Sequence, residues 1–169
     1  MWYAFGGIVV LVVAAFAMIA WGWIGYMPPI EDMENPKDKF ASEIYSSDME
    51  VIGRFYQSKS NRVYVHYDEI SPYLVNALIA TEDIRFKDHS GIDVKALFRA
   101  FIKRGLLFQK SAGGGSTITQ QLAKLLYSPN ADNVVERLFQ KPQEWVIAVQ
   151  LERFYTKEEI VNMYLNHFD

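Results

Sequence analysis

Three short stretches of this chain combine residue types that could do chemistry together. The first is E-D-I-R-F-K-D-H-S-G, in which Glu82 and Asp83 close an apolar run and Phe86, His89 and Gly91 follow. A carboxylate leaving an apolar helix for a glycine-containing turn is partly sheltered from water, which strengthens it as a proton acceptor, so Glu82 is a candidate general base. A plain solvated helix end would carry the same residues. The second stretch, Gly113-Gly-Gly-Ser-Thr-Ile-Thr-Gln-Gln121, joins a glycine loop to a helix start, where free backbone N–H groups and the helix dipole favour an anion such as a phosphate. No lysine precedes Ser116, so it is not a Walker loop. Gln120 and Gln121 precede Lys124 by one turn, giving a polar, cationic stripe opposite Ile118, Leu122, Leu125 and Leu126. The third stretch places Lys141 three residues before Glu144 on one helix face, as a surface ion pair or as part of a site. Two separated acids, Glu82 and Glu144, are the type of pair that flanks a reacting sugar carbon in glycosidic chemistry.

These residues need elements to position them. Ser71 followed by Pro72 starts a helix predicted to Thr81, and Asp93 to Arg104 predicts a second. Thr117 to Tyr127 predicts a third, stopping before Pro129. Pro142 fits a first turn, so a fourth helix is expected from about Lys141 to Arg153. Thr156-Lys-Glu-Glu159 is a capping box opening a fifth helix through Asn166. Glu43-Ile-Tyr and Glu50-Val-Ile-Gly-Arg-Phe-Tyr, around Ser46-Ser47-Asp48, predict a short hairpin, and Glu31 to Phe40 reads as a linker. The whole is a predominantly helical domain with a small β element.

Ahead of it, Met1 to Ile30 holds no charged side chain, and Trp2 to Met27 exceeds the ~20 apolar residues that cross a bilayer. Trp2, Tyr3, Trp21, Trp23 and Tyr26 lie near its ends as interfacial aromatics do. The run is too long and too bulky at its end for a cleaved signal peptide, so a transmembrane anchor is expected. The acidic Glu31, Asp32 and Glu34 that follow are consistent with a C-terminal part outside the cytoplasm. Phe98, Phe101, Ile102, Leu106, Leu107 and Phe108 alternate with Arg99, Lys103, Arg104 and Lys110, a pattern suited either to a bilayer headgroup region or to a core helix with a cationic outer face.

Composition narrows the classes. With 169 residues, 17 basic and 20 acidic side chains and a net charge of −3, the chain is not a strongly basic nucleic-acid binder. It has no cysteine, which excludes disulfides, thiolate-bound zinc and thiol catalysis.

Taken in order, these segments resemble the peptidoglycan glycosyltransferases of family 51, found in class A penicillin-binding proteins and as monofunctional enzymes. A-T-E-D-I-R-F-K-D-H-S-G at 80–91, G-G-S-T-I-T-Q-Q-L-A-K at 114–124, K-P-Q-E at 141–144 and K-E-E-I-V-N-M-Y-L-N at 157–166 are similar to the family's first four motifs. The resemblance implies a lysozyme-like helical fold behind an N-terminal transmembrane helix, with a membrane-touching jaw that includes 98–108. It divides the chain into an anchor at 1–30, a linker and hairpin at 31–70, and the N-terminal part of the glycosyltransferase domain at 71–169. Glu82 would take the proton of the acceptor's sugar 4-hydroxyl. Glu144 would assist departure of the diphosphate or bind a divalent metal, Mg or Mn. Ser116, Gln121 and Lys124 would contact the donor's phosphates and sugar, with Lys141 adding charge. The implied reaction polymerises lipid II with inversion, releasing polyprenyl diphosphate, on the outer side of the bacterial cytoplasmic membrane; the implied partners are lipid II, the growing glycan, the membrane and other cell-wall synthesis proteins.

The third motif departs from the family pattern, with Gln140-Lys141 where Arg-Lys is usual, and with Glu136 where an Arg is usual, so that Arg137 is the nearest replacement. No S-x-x-K acyl-enzyme motif occurs. The chain ends just after the fourth motif, from which we expect an N-terminal fragment, inactive alone, whose fifth helix leaves an apolar face of Ile160, Met163 and Tyr164 to be covered by later helices. A lysozyme-like glycan-cleaving enzyme and a membrane-anchored scaffold without activity are the alternatives; the first fits poorly with the cationic Ser116 to Lys124 stripe.

Overall fold

The computed structural model describes residues 2–23, 27–29, 42–55, 64–106, 114–128 and 134–168, with the backbone alone at 42, 54, 104–106 and 134–139. The expected linker at 31–40, and the part of the glycine loop at 111–113, lie outside the described residues.

Helix α1 runs Trp2–Ala20, shorter than the sequence predicts, because the chain turns at Gly22, whose φ of 72° only glycine adopts without strain. Its 19 residues make a rod of about 28 Å at 1.5 Å per residue, enough for a bilayer's hydrocarbon core. Strands β1 (Ser42–Tyr45) and β2 (Val51–Phe55) form an antiparallel hairpin with a register shift at Ile44/Tyr45, where the predicted hairpin lies.

The helical body begins with α2 (Pro72–Glu82), whose proline occupies the first turn, where its missing N–H costs nothing. Helix α3 (Val94–Ala100) is capped by Asp93, whose side chain accepts the Ala96 amide, and it passes into a π-helical turn at Phe101–Leu106. Val94, Phe98 and Phe101 are exposed there beside exposed Lys95, Arg99 and Lys103. Helix α4 (Ile118–Tyr127) is capped by Thr117, and α6 (Lys157–His167) by the Thr156/Glu159 capping box.

Between them α5 runs Val134–Phe154, which corrects the predicted start at Lys141: Pro142 is inside the helix. The ring's fixed φ is itself helical, so the helix continues through it at the loss of one backbone hydrogen bond.

Helices α4, α5 and α6 pack on one another around Ile118, Leu122, Ile147, Ala148, Leu151, Ile160 and Val161, with Val75 of α2 and Phe86 completing the core. Ile160, Met163 and Tyr164 are all buried, so the face of α6 expected to await later helices is covered by the chain itself, which removes the structural reason for expecting the chain to be inactive alone. Two amides on α6 add a polar clamp. Asn166 donates to the Val65 carbonyl and accepts the Val65 amide, both at 2.9 Å, pairing with that backbone as a neighbouring strand would. Asn162 donates to the Tyr64 hydroxyl at 2.6 Å.

Candidate active site

The end of α2 and the start of α4 are joined through buried polar groups. Asp83 accepts the Ile118 amide at 3.2 Å and faces His89 Nε2 at 3.0 Å. Thr117 Oγ1 donates to the Gly91 carbonyl at 2.6 Å, and Gln120 Nε2 reaches the same oxygen at 3.4 Å. Gly91 has φ +91°, and a Cβ there would lie 2.8 Å from the Ala148 carbonyl on α5. Only glycine lets these segments approach so closely. Arg85 grips Asp93 with two nitrogens, at 2.8 and 2.9 Å. Burial pushes the Asp93 carboxyl up, but the Ala96 amide, the Arg85 guanidinium and His89 together draw it below the usual carboxylate value.

This frame sets two groups of side chains. In the first, Gln121 Nε2 donates to Glu82 Oε2 at 2.8 Å, and the Tyr164 hydroxyl donates to Gln121 Oε1 at 3.0 Å. Glu82 is exposed, so the shelter expected from the apolar helix is absent and its fixed neighbour is the Gln121 amide instead. Tyr164 is 2% exposed, and burial, with the Glu82 charge second, raises its phenol above the ordinary value.

In the second group, Lys141 Nζ lies 2.6 Å from Glu144 Oε2 and 3.4 Å from Ser116 Oγ. Glu144 is 2% exposed, whereas the Lys141 side chain remains half exposed. A buried carboxylate needs such a partner, because an unpaired charge there costs several kcal/mol. Ser116 of the second group lies two residues before α4, and Gln121 of the first lies within that helix's first turn. Lys124 is exposed one turn beyond Gln121 and makes no ion pair among the described residues.

The structure therefore joins Glu82 to Gln121, and Ser116 and Lys141 to Glu144, while Lys124 extends the exposed side of α4. Gln120 differs from the prediction: it is buried against Gly91, so only Gln121 shares the face of Lys124. The Arg137 side chain lies outside the described residues. Sequence reasoning missed Asp83 as the tie to α4 and Tyr164 as a polar member, reading the latter only as apolar; its place within K-E-E-I-V-N-M-Y-L-N was the available signal.

A divalent ion at Glu144 would find one carboxylate whose Oε2 already faces the Lys141 ammonium. Among the described residues no group of three acidic or histidine side chains is arranged to hold a metal, so an ion at Glu144 would take its other donors from water or substrate oxygens.

Residues 48–169, which contain every described member of both groups, match the family of transglycosylases. The chain belongs to that family. Among its curated relatives, penicillin-binding protein 1A of Escherichia coli is 36% identical over 141 residues, covering 83% of this chain and 16% of that protein. The biosynthetic peptidoglycan transglycosylase of Nitrosomonas eutropha is 44% identical over 109 residues, 64% of this chain and 43% of that protein. Penicillin-binding protein 1A of Aquifex aeolicus is 36% identical over 170 residues, 95% of this chain and 22% of that protein. The chain thus spans less than half the length of these relatives. The transglycosylase match includes all four motifs and begins after α1, a helix long and apolar enough to cross a membrane.

Proposed function

We propose that this transglycosylase chain carries the site of a peptidoglycan glycosyltransferase that extends glycan strands from lipid II. The observation that carries the reading is the Gln121 amide directed onto Glu82, within one α4 segment that also bears the exposed Lys124 and begins beside Ser116. Glu82 takes the proton from the 4-hydroxyl of the acceptor lipid II sugar as that oxygen bonds to the anomeric carbon of the growing chain. The bond from that carbon to its diphosphate breaks with inversion, and polyprenyl diphosphate leaves with the electron pair. A diphosphate is already a stable anion, so its departure calls for positive charge more than for an acid. Lys124 supplies an exposed cation with no ion pair among the described residues, Lys141 a partly neutralised one held by Glu144, and Ser116 a hydroxyl beside it.

The glycan-cleaving alternative needs a carboxylic acid that donates its proton. Here Glu82 faces an N–H donor and Glu144 an ammonium, so both carboxylates are placed as acceptors. Helix α1 is long and apolar enough to span a membrane, which fits a substrate whose lipid tail stays in the bilayer. We place the helical body on the outer face of the bacterial cytoplasmic membrane, with the exposed Phe98 and Phe101 and their basic neighbours against the headgroups.

The test is to incubate the purified protein in detergent with fluorescent lipid II and separate the products by size. Glycan polymer made by the wild type and absent with Glu82→Gln supports the reading. Absence of polymer from the wild type, or normal polymer from the variant, overturns it.

A further inference from the structure

We propose that Tyr164 is a positioning residue for the proton acceptor, its hydroxyl fixing the Gln121 amide so that the NH2 end faces Glu82. The inference rests on the reading of Glu82 as the base and concerns how that base is held.

A carboxylate can only accept hydrogen bonds, so the end of Gln121 that serves Glu82 is its NH2. Yet the two ends of an amide are nearly the same shape, and a side chain held at one end only can turn over. While Glu82 is ionised its own charge opposes that turn. Once Glu82 has taken the acceptor's proton, its new O–H is a donor, and a Gln121 with a free oxygen would rotate to accept it. The proton would then be held between Glu82 and Gln121 rather than passed to water, and the base would be slow to return for the next sugar.

Tyr164 removes that option. Its O–H already donates to Gln121 Oε1 at 3.0 Å, which leaves Nε2 directed at Glu82 Oε2 at 2.8 Å whatever the protonation of the acid. The phenol is itself well held: its ring is buried on α6 and stacks on Phe168 with centroids 5.4 Å apart. Burial and the Glu82 charge both keep it protonated, hence a donor, over the neutral range. The three residues come from α2, α4 and α6, so the fourth motif contributes to the site through Gln121.

The experiment uses the full chain in detergent micelles, with Tyr164→Phe, Gln121→Ala and the double variant. Tyr164→Phe keeps the ring and loses only the hydroxyl. It is expected to lower kcat about tenfold with KM within about twofold, as loss of one hydrogen bond in a network does. If Tyr164 acts through Gln121, the double variant is no slower than Gln121→Ala alone; losses that multiply would show that Tyr164 acts by another route and overturn the proposal.

A second measurement needs no turnover. The 15N-labelled side-chain amide of Gln121, assigned by its disappearance in Gln121→Ala, should carry one proton shifted downfield by Glu82, a shift lost in Glu82→Gln. In Tyr164→Phe the same shift should collapse while the melting temperature stays within about 2 °C. An unchanged Gln121 signal in Tyr164→Phe refutes the positioning role, whether or not the chain polymerises lipid II. Inactive wild type with the Gln121 response intact would refute the functional reading and leave the positioning role standing.

Discussion

The Asp83 carboxylate accepts the Ile118 amide at 3.2 Å, so the last residue before the first motif's turn is tied to the first residue of α4. Its neighbour Glu82 meets Gln121 one turn further along the same helix. The proposed base is therefore flanked by a buried residue that ties its helix end to the start of α4. Asp83→Asn keeps the shape but weakens the acceptor and the link to His89. Hydrogen bonds to charged groups contribute about 1.5–3 kcal/mol, so the variant should lose roughly 2 kcal/mol and melt several degrees lower. Thermal unfolding checks this, and a wild-type melting point would mean that the Asp83 tie does not hold the two helices.

Much of the scaffold was legible from local chemistry. Asp93, Thr117 and Thr156 each mark a helix start because a short polar side chain before a helical run has an orphan N–H to satisfy, and each is found capping. Pro142 misled for the same local reason: its ring fits a first turn best, and only the rest of the fold decides whether the helix continues upstream. The pairings of Glu82 with Gln121 and of Gln121 with Tyr164 join residues 39 and 43 apart in sequence, a distance over which periodicity says nothing. Gln120 was indistinguishable from Gln121 by type, and it is buried because the Gly91 carbonyl receives it.

Lys141 and Glu144 form a pair in which one member is buried and the other half exposed. Lys141→Met strands the Glu144 charge, and because breaking such a pair costs about 3–5 kcal/mol when fully buried, a loss near 3 kcal/mol is expected here. Adding Glu144→Gln removes the stranded charge, so the double variant should recover most of that stability without recovering the proposed polymerisation, which both variants are expected to lose. Urea unfolding of the three proteins separates the roles. If the second substitution restores nothing, the pair is not what balances Glu144.

The Tyr164 phenol is raised above its ordinary value of 10.0 by burial first and by the Glu82 charge second. A raised folded-state value means that the folded chain keeps the proton longer than the unfolded one. Its contribution is complete below about pH 10 and is lost as pH rises through the folded-state value. Glu82→Gln should therefore move Tyr164 ionisation down toward, but not to, the ordinary value, since burial remains. Ultraviolet titration against a Tyr164→Phe blank reads the shift; a movement upward would contradict the contact.

Asp93 behaves in the opposite sense. With its folded-state carboxyl drawn below the ordinary 3.8, it stabilises the fold above that value and the stabilisation is lost as pH falls further. Melting temperature should drop more steeply as pH falls below about 4 in the wild type than in Asp93→Asn, which is less stable at neutral pH but has no carboxyl to protonate. Parallel profiles would show that the Arg85 and Ala96 contacts do not depend on the Asp93 charge.

The last relationship sets the depth of the site. Phe16, in the final turns of α1, stacks on Trp145 of α5 with ring centroids 6.1 Å apart and planes 11° from parallel, and Ile19 is buried one turn later. Trp145 directly follows Glu144, so α5 is docked at the level where the apolar rod of α1 ends. When α1 spans a bilayer, that level is the boundary between acyl chains and headgroups, where aromatic side chains concentrate. The lipid-linked diphosphate of the proposed reaction has its anionic part at the same boundary, so the stack would hold Glu144 and Lys141 at that height. A protein whose only tryptophan is Trp145, made by replacing Trp2, Trp21 and Trp23 with Phe, should be quenched in vesicles by lipids brominated near the headgroup and less by those brominated near the chain end. Phe16→Ala should weaken that preference, because the remaining contacts of α1 with α5 fix the ring less firmly. Equal quenching at both depths, or none, would show that α5 does not sit at the membrane surface.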